Sequence, residues 1–242
     1  MLGARSHAPE AGARSHAPET GARSHGDVTH ADVPPHDDAS CVRVPLARYV
    51  ASNTIYLISL FVLYLFSTLY HSMFALGDTV VEIFATFDQC AIYMLIAGSY
   101  TPFLIILFPD KAIFSVGLLA FLWIMAACGV ALQLCYHGPL KVGLQVTSYL
   151  GMGWAAVLCA SDMWERLAVH PQALFLIIGG GLSYTGGVPF FIKDGRTLNI
   201  PDHTIWHLFV IGGSMAHYFC VLWYLVPFPY PGHVPWDADC CS

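Results

Sequence analysis

The chain has 242 residues, of which 56% are hydrophobic and only 11% charged, with a mean hydropathy of +0.60 and a formal net charge of −6 at pH 7. Soluble domains carry about 25% charged residues, so this composition excludes an ordinary soluble protein, and the acidic balance argues against a nucleic-acid partner. Much of the charge sits in the first 40 residues, and the rest is long apolar runs with short polar breaks, the pattern of a chain that crosses a membrane repeatedly.

Residues 1–40 open with GARSHAPEA, GARSHAPET and GARSHG, a nine-residue repeat from Gly3 to Gly26. It holds no large apolar residue and cannot bury a core, so a disordered low-complexity arm is expected. Its histidines, His7, His16, His25, His30 and His36, are expected to be solvated, with at most weak metal binding. The arm lacks the apolar segment of a secretory signal.

The remainder predicts an all-α integral membrane protein, a bundle of about six transmembrane helices within a domain over 41–230. The predicted spans are 50–74, 84–108, 112–136, 142–162, 172–192 and 203–226. The breaks carry turn residues: Gly77-Asp78, Pro109-Asp110-Lys111, His137-Gly138-Pro139, Glu165 to Pro171, and Lys193 to Pro201. Trp164, Trp206, Trp223, Tyr224 and Trp236 fall near span ends, as an aromatic belt would. Gly179, Gly180, Gly181, Ser183, Gly186 and Gly187 in the fifth span suit close helix packing. Cys90, Cys128, Cys135, Cys159 and Cys220 lie in apolar runs and read as small hydrophobes. A short tail, 231–242, ends in Cys240 and Cys241, a pair compatible with lipidation, a terminal disulfide or free thiols. Loops on the N-terminal side carry Arg43, Arg48, Lys111 and Arg166, and the other side Lys141, Lys193 and Arg196, a balance too even to orient the bundle.

The sixth span contains the most informative stretch, Asp202 to Tyr218, DHTIWHLFVIGGSMAHY. His203 and His207 are four residues apart, on one helix face and one turn from each other, where they can share a metal ion. His217 lies 14 residues past His203, roughly 21 Å further along the axis and too far to join the same ion. Two other stretches put polar residues into spans. Ser67-Thr68-Leu69-Tyr70-His71 closes the first span, with Ser67 and His71 on one face. Phe87-Asp88-Gln89 opens the second, which later carries Ser99-Tyr100-Thr101-Pro102. Each has a plain reading: a serine bonding its own backbone, an aspartate at the interface, a proline that kinks its helix.

Parity strengthens the case. Consecutive spans alternate direction, so the end of the first span and the starts of the second and sixth share one membrane side. His71, Asp88, His203 and His207 therefore lie at one level. Three imidazoles with a carboxylate beside them make up the inventory of a catalytic metal site. Zinc is the first choice, and iron, manganese or nickel also suit three histidines. Asp88 is compatible with direct ligation or with holding a water as general base, and we favour the second role. Ser67 reads equally as a helix-packing hydroxyl or as a hydrogen-bond donor to that water or to an oxyanion.

At these residues the sequence resembles the haemolysin III and progestin/adipoQ receptor family, which includes the adiponectin receptors. The motifs are STLYH (Ser67 to His71), DQCAIYMLIAGSYTP (Asp88 to Pro102) and HTIWHLFVIGGSMAH (His203 to His217), and the likeness covers about residues 50–226. Their wording is nearer the haemolysin III branch. The resemblance implies a zinc ion held by His71, His203 and His207, with Asp88 and Ser67 beside it, towards the cytosolic face. It also implies kinship with membrane hydrolases that include alkaline ceramidases, hence hydrolysis of a lipid amide or ester. The family usually has seven spans, and no apolar run precedes Tyr49, so the first span is expected to be absent.

Three functions compete: a zinc-dependent hydrolase whose substrate enters from the membrane lipids, a receptor in which the zinc is structural, and a haemolysin-like pore or transporter. Clustering of the polar residues at one level favours the hydrolase over the pore. An inactive paralogue is a fourth reading, because a helix beside the site is expected to be missing. The sequence carries no indication of oligomeric state or organelle.

Overall fold

The computed structural model describes residues 44–193, 195–197 and 199–227. The repetitive arm with its histidines, Arg43, and the tail with Trp236, Cys240 and Cys241 lie outside the described residues. Within them, six helices are long and apolar enough to cross a membrane: α1 (Leu46–Ser72), α2 (Asp78–Leu107), α3 (Ala112–Cys135), α4 (Lys141–Leu167), α5 (Pro171–Lys193) and α6 (Asp202–Leu225). The chain is an all-α, multi-pass integral membrane protein.

Local chemistry sets most helix ends. Pro45, with φ of −56°, presets the first turn of α1. Between α1 and α2 the backbone turns at Gly77 with φ of +102°, a region closed to most side chains. The α2 helix begins at Asp78, six residues before the expected 84. Asp78 and Glu82 lower the local hydropathy, yet acidic residues suit a helix N-terminus. At 30 residues α2 is about 45 Å long, so its first turns extend beyond a hydrocarbon core of about 30 Å. The α4 span is interrupted by a 3₁₀ stretch over Trp154–Cys159 and continues to Leu167. The α6 span is α-helical to Cys220 and closes in a π turn over Val221–Leu225.

A two-stranded hairpin, β1 (Arg196–Thr197) and β2 (Ile200–Pro201), joins α5 to α6, with Arg196 opposite Pro201 and Thr197 opposite Ile200. Asn199 takes φ of 66° there, as asparagine tolerates. Asp202, fully buried, anchors the hairpin to α6. Its carboxylate accepts from the Gly195 N–H at 3.1 Å and faces Lys193 Nζ at 3.4 Å, and its own N–H donates to Gly195 O at 2.9 Å. At the opposite membrane face, Arg166 grips Asp110 with both contacts at 2.6 Å, and Lys111 pairs with Asp162 at 2.8 Å. These tie the α2–α3 turn to the end of α4.

The α2 helix is the most enclosed: Tyr93, Ala97, Leu104, Ile106 and Leu107 are buried against its neighbours. Small residues set the approach distances. A side chain at Gly98 would run into Ser59 of α1, and one at Gly129 of α3 into the Tyr93 ring. Between α5 and α6, Gly180 seats against His217, Gly187 against Trp206, and Gly213 against Tyr184, while Ser183 Oγ donates to Phe209 O at 2.8 Å. Only part of the glycine-rich stretch of α5 is interface, since Gly179 and Gly181 face open space. Trp206 departs from its expected place in an aromatic belt. It is 7% exposed and packs on Phe191, because Gly187 opens a slot for it, whereas Trp164 and Trp223 are exposed as expected.

Gly129→Ala is expected to cost about 1–3 kcal/mol, since the Tyr93 ring must move. Gly117→Ala, on the same helix with nothing near its added methyl, is expected to leave stability unchanged or higher. Thermal unfolding of the two variants in detergent measures the difference.

Candidate metal centre

The end of α1 and the start of α6 meet on one membrane side. His71 comes from the last turn of α1, and His203 and His207 from the first two turns of α6. Their Nε2 atoms converge: His71 to His207 is 2.9 Å and His207 to His203 is 3.1 Å. The three rings stand 4.7 to 5.1 Å apart by centroid, with the Tyr70 ring 4.5 Å from that of His71. All three ligand atoms lie within 4.8 Å of one another, the arrangement that can hold one metal ion.

The donor chemistry fits a metal better than hydrogen bonding alone. A neutral imidazole nitrogen carries either one proton or one lone pair. His207 Nε2 has close nitrogens on both sides, and its single proton or lone pair serves one of them well. A single cation between the three rings uses all three lone pairs at once. A tetrahedral zinc site with Zn–N of about 2.0–2.1 Å sets its nitrogens roughly 3.3 Å apart, so a small outward movement of the rings suffices.

Asp88 lies outside this three-nitrogen group. It is 8% exposed on α2, and its carboxyl is paired with the Ser67 hydroxyl of α1. Phe66 and Phe87, each one residue before that pair, stack at 5.0 Å and hold the two helices together there. Ser67 thus stands beside Asp88, as the spacing of the two on their helices allows. His217 is elsewhere, as its spacing implied: its Nε2 donates to Ile177 O at 3.2 Å and its ring rests against Tyr184.

Sequence reasoning passed over two features. One is a polar network near Asp88 on the same side. Tyr149 O–H donates to Gln89 O at 2.7 Å, Gln145 Nε2 donates to Tyr149 Oη at 3.0 Å, and Tyr93 meets Ser148 at 2.7 Å. Gln133 and Gln145 are each 1% exposed. The parity argument would have found them, since the end of the third span and the start of the fourth share the level of His71. The other is a cavity of about 320 Å³ between α2, α4, α5 and α6, with walls that are almost entirely apolar. It reaches Trp206 and Val210, which flank His207 on α6.

The Haemolysin-III related family model matches residues 37–218. The chain is 38% identical over 181 residues to Hemolysin-3 of Bacillus cereus, covering 75% of this chain and 78% of that protein. It is 37% identical over 182 residues to the Hemolysin-3 homolog of Bacillus subtilis (strain 168), covering 75% and 80%. To the Monocyte to macrophage differentiation factor of Homo sapiens it is 34% identical over 179 residues, covering 72% and 71%.

Elemental mass spectrometry of the detergent-purified chain is expected to find about one metal ion per three-histidine site. His207→Ala is expected to release it and His217→Ala to retain it. The reverse pattern would overturn the assignment of His207.

Proposed function

The chain belongs to the haemolysin III and progestin/adipoQ receptor family of multi-pass membrane proteins, and on that premise we propose that it is a zinc-dependent hydrolase of lipid amides or esters, with His71, His203 and His207 as the metal ligands. The observation that carries this reading is the convergence of three Nε2 atoms from two helices, with a buried carboxylate–hydroxyl pair at the same membrane level. A bound zinc ion supplies an acidified water, with a pKa lowered to about 7, and polarises the carbonyl under attack.

The chain's own residues do the rest. Asp88 takes the proton from the attacking water as general base, and it can return that proton to the leaving amine or alcohol. The Ser67 hydroxyl, beside Asp88 on the neighbouring helix, donates to its carboxylate and holds it in place. The apolar cavity lined by Trp206 and Val210 of α6 takes the acyl chain. Its wall suits an alkyl chain and offers no polar path for ions, which counts against the pore reading. In a receptor with structural zinc, metal removal unfolds the bundle, whereas a hydrolase can lose turnover and stay folded.

Asp88→Asn is expected to lower release of fatty acid from lipid amide and ester substrates by about 10²–10⁴-fold while bound zinc is retained. Turnover at the parent rate in this variant would remove Asp88 from the mechanism. Absence of turnover in a zinc-loaded parent across both substrate classes would sink the hydrolase reading.

A further inference from the structure

Asp88 stands on α2, which carries none of the three histidines. Its placement against them is therefore set by whatever holds α2 at that turn. From α1 the hold is Ser67 and the stacked pair Phe66 and Phe87. A second hold comes from α4. Tyr149 Oη donates to Gln89 O, on the residue next to Asp88, at 2.7 Å and accepts from Gln145 Nε2 at 3.0 Å. With its proton and a lone pair both engaged, the phenol has one direction open to it.

The groups that hold this phenol are themselves held. Tyr93, one turn beyond Gln89 on α2, rests its ring on that of Tyr149, with centroids 4.4 Å apart. Ser148 Oγ donates to Gln145 O at 2.8 Å, which uses the serine proton, so the 2.7 Å contact between Tyr93 and Ser148 runs from the phenol to the serine. Tyr149 and Gln145 are both buried. Hydrogen bonds in such an apolar interior are strengthened, and breaking one leaves a costly unpaired group. Asp88 is near enough for its charge to act on the Tyr149 phenol, yet the phenol bonds the neighbouring carbonyl and leaves the carboxylate free for other work.

We propose that Tyr149, oriented by Gln145, is a positioning residue for Asp88. Its bond to Gln89 O fixes the rotation of α2 at the turn that carries the carboxylate. Together with Ser67 it holds Asp88 at the level of the three histidines. The effect on rate rests on the hydrolase reading, whereas the placement of the carboxylate rests on packing alone.

The test uses Tyr149→Phe and Gln145→Leu in the zinc-loaded, detergent-purified full chain, with p-nitrophenyl palmitate as the probe. Tyr149→Phe removes one oxygen and keeps the ring that lines the cavity. KM and bound zinc are therefore expected to hold at parent values while kcat falls by up to about 10²-fold, the cost of a misplacement of about 1 Å. Gln145→Leu leaves the phenol and removes its orienting donor, and is expected to give a smaller fall in kcat. At the residual rate of Asp88→Asn, adding Tyr149→Phe is expected to change nothing further, because a residue that acts through Asp88 has no effect once that base is gone. Tyr49→Phe is the control for lost stability. It removes a phenol-to-carbonyl bond of the same kind at the far face, 2.6 Å to Val226 O, and is expected to lower the unfolding temperature and leave kcat unchanged.

A readout without turnover is the infrared carboxyl band of Asp88, taken as the band lost in Asp88→Asn. It is expected to shift or broaden in Tyr149→Phe and to stay in place in Tyr49→Phe. Parent kcat in Tyr149→Phe, an equal further loss in the Asp88→Asn background, or an unmoved Asp88 band would overturn the proposal. A parent that binds zinc and turns over no lipid amide or ester sinks the hydrolase reading instead, and the infrared band then decides the placement of Asp88 by itself. Should Tyr149→Phe fail to fold, Gln145→Leu, read in the same way, decides it.

Discussion

A bilayer core supplies no water to satisfy peptide groups, so each crossing must close its own backbone hydrogen bonds and become a helix. The other features of this protein follow from that constraint. Helices joined by short turns alternate direction, and alternation assigns each span end to a membrane side. His71, at the end of α1, and His203 and His207, at the start of α6, meet at one level for this reason. The polar groups that break the apolar pattern are gathered there too: Asp88 with Ser67, Gln145 with Tyr149, and Asp202 with the α5–α6 hairpin.

Lateral placement is a second matter, governed by packing. In lipid the apolar effect does not drive helices together, so close contact depends on small residues and on hydrogen bonds. The glycines of α5 and α6 let Trp206, His217 and Tyr184 sink into the opposite helix. Burial of Trp206 has a consequence for the site, since it fixes the rotation of α6 and with it the face on which His203 and His207 stand. At the far face, Tyr49 of α1 donates to Val226 O, just past α6, at 2.6 Å. The helices α1 and α6 are therefore joined at both membrane faces, by this bond on one side and by the histidine cluster on the other.

The same packing leaves a gap. Where α2, α4, α5 and α6 diverge, a space opens, and the Ser99 and Thr185 hydroxyls in its wall are turned to the backbone of their own helices. Serine and threonine in a membrane helix commonly bond in this way. The result is an interior wall that is almost entirely apolar.

Hydropathy and turn residues alone determined the six spans, most of their ends, and the membrane side of each histidine. These quantities vary along the chain, which is the coordinate a sequence reports. Spacing on α6 likewise separated His217 from His203 and His207. What lay beyond reach was position in the membrane plane: that α1 stands beside α6, that Ser67 faces Asp88, that Trp206 turns inward, and that a cavity lies between four helices. Apolar runs of similar composition carry no label for their neighbours. Those neighbours are chosen by the fit of Gly98 to Ser59, Gly129 to Tyr93 and Gly187 to Trp206, contacts between residues far apart in sequence that only the tertiary structure brings together.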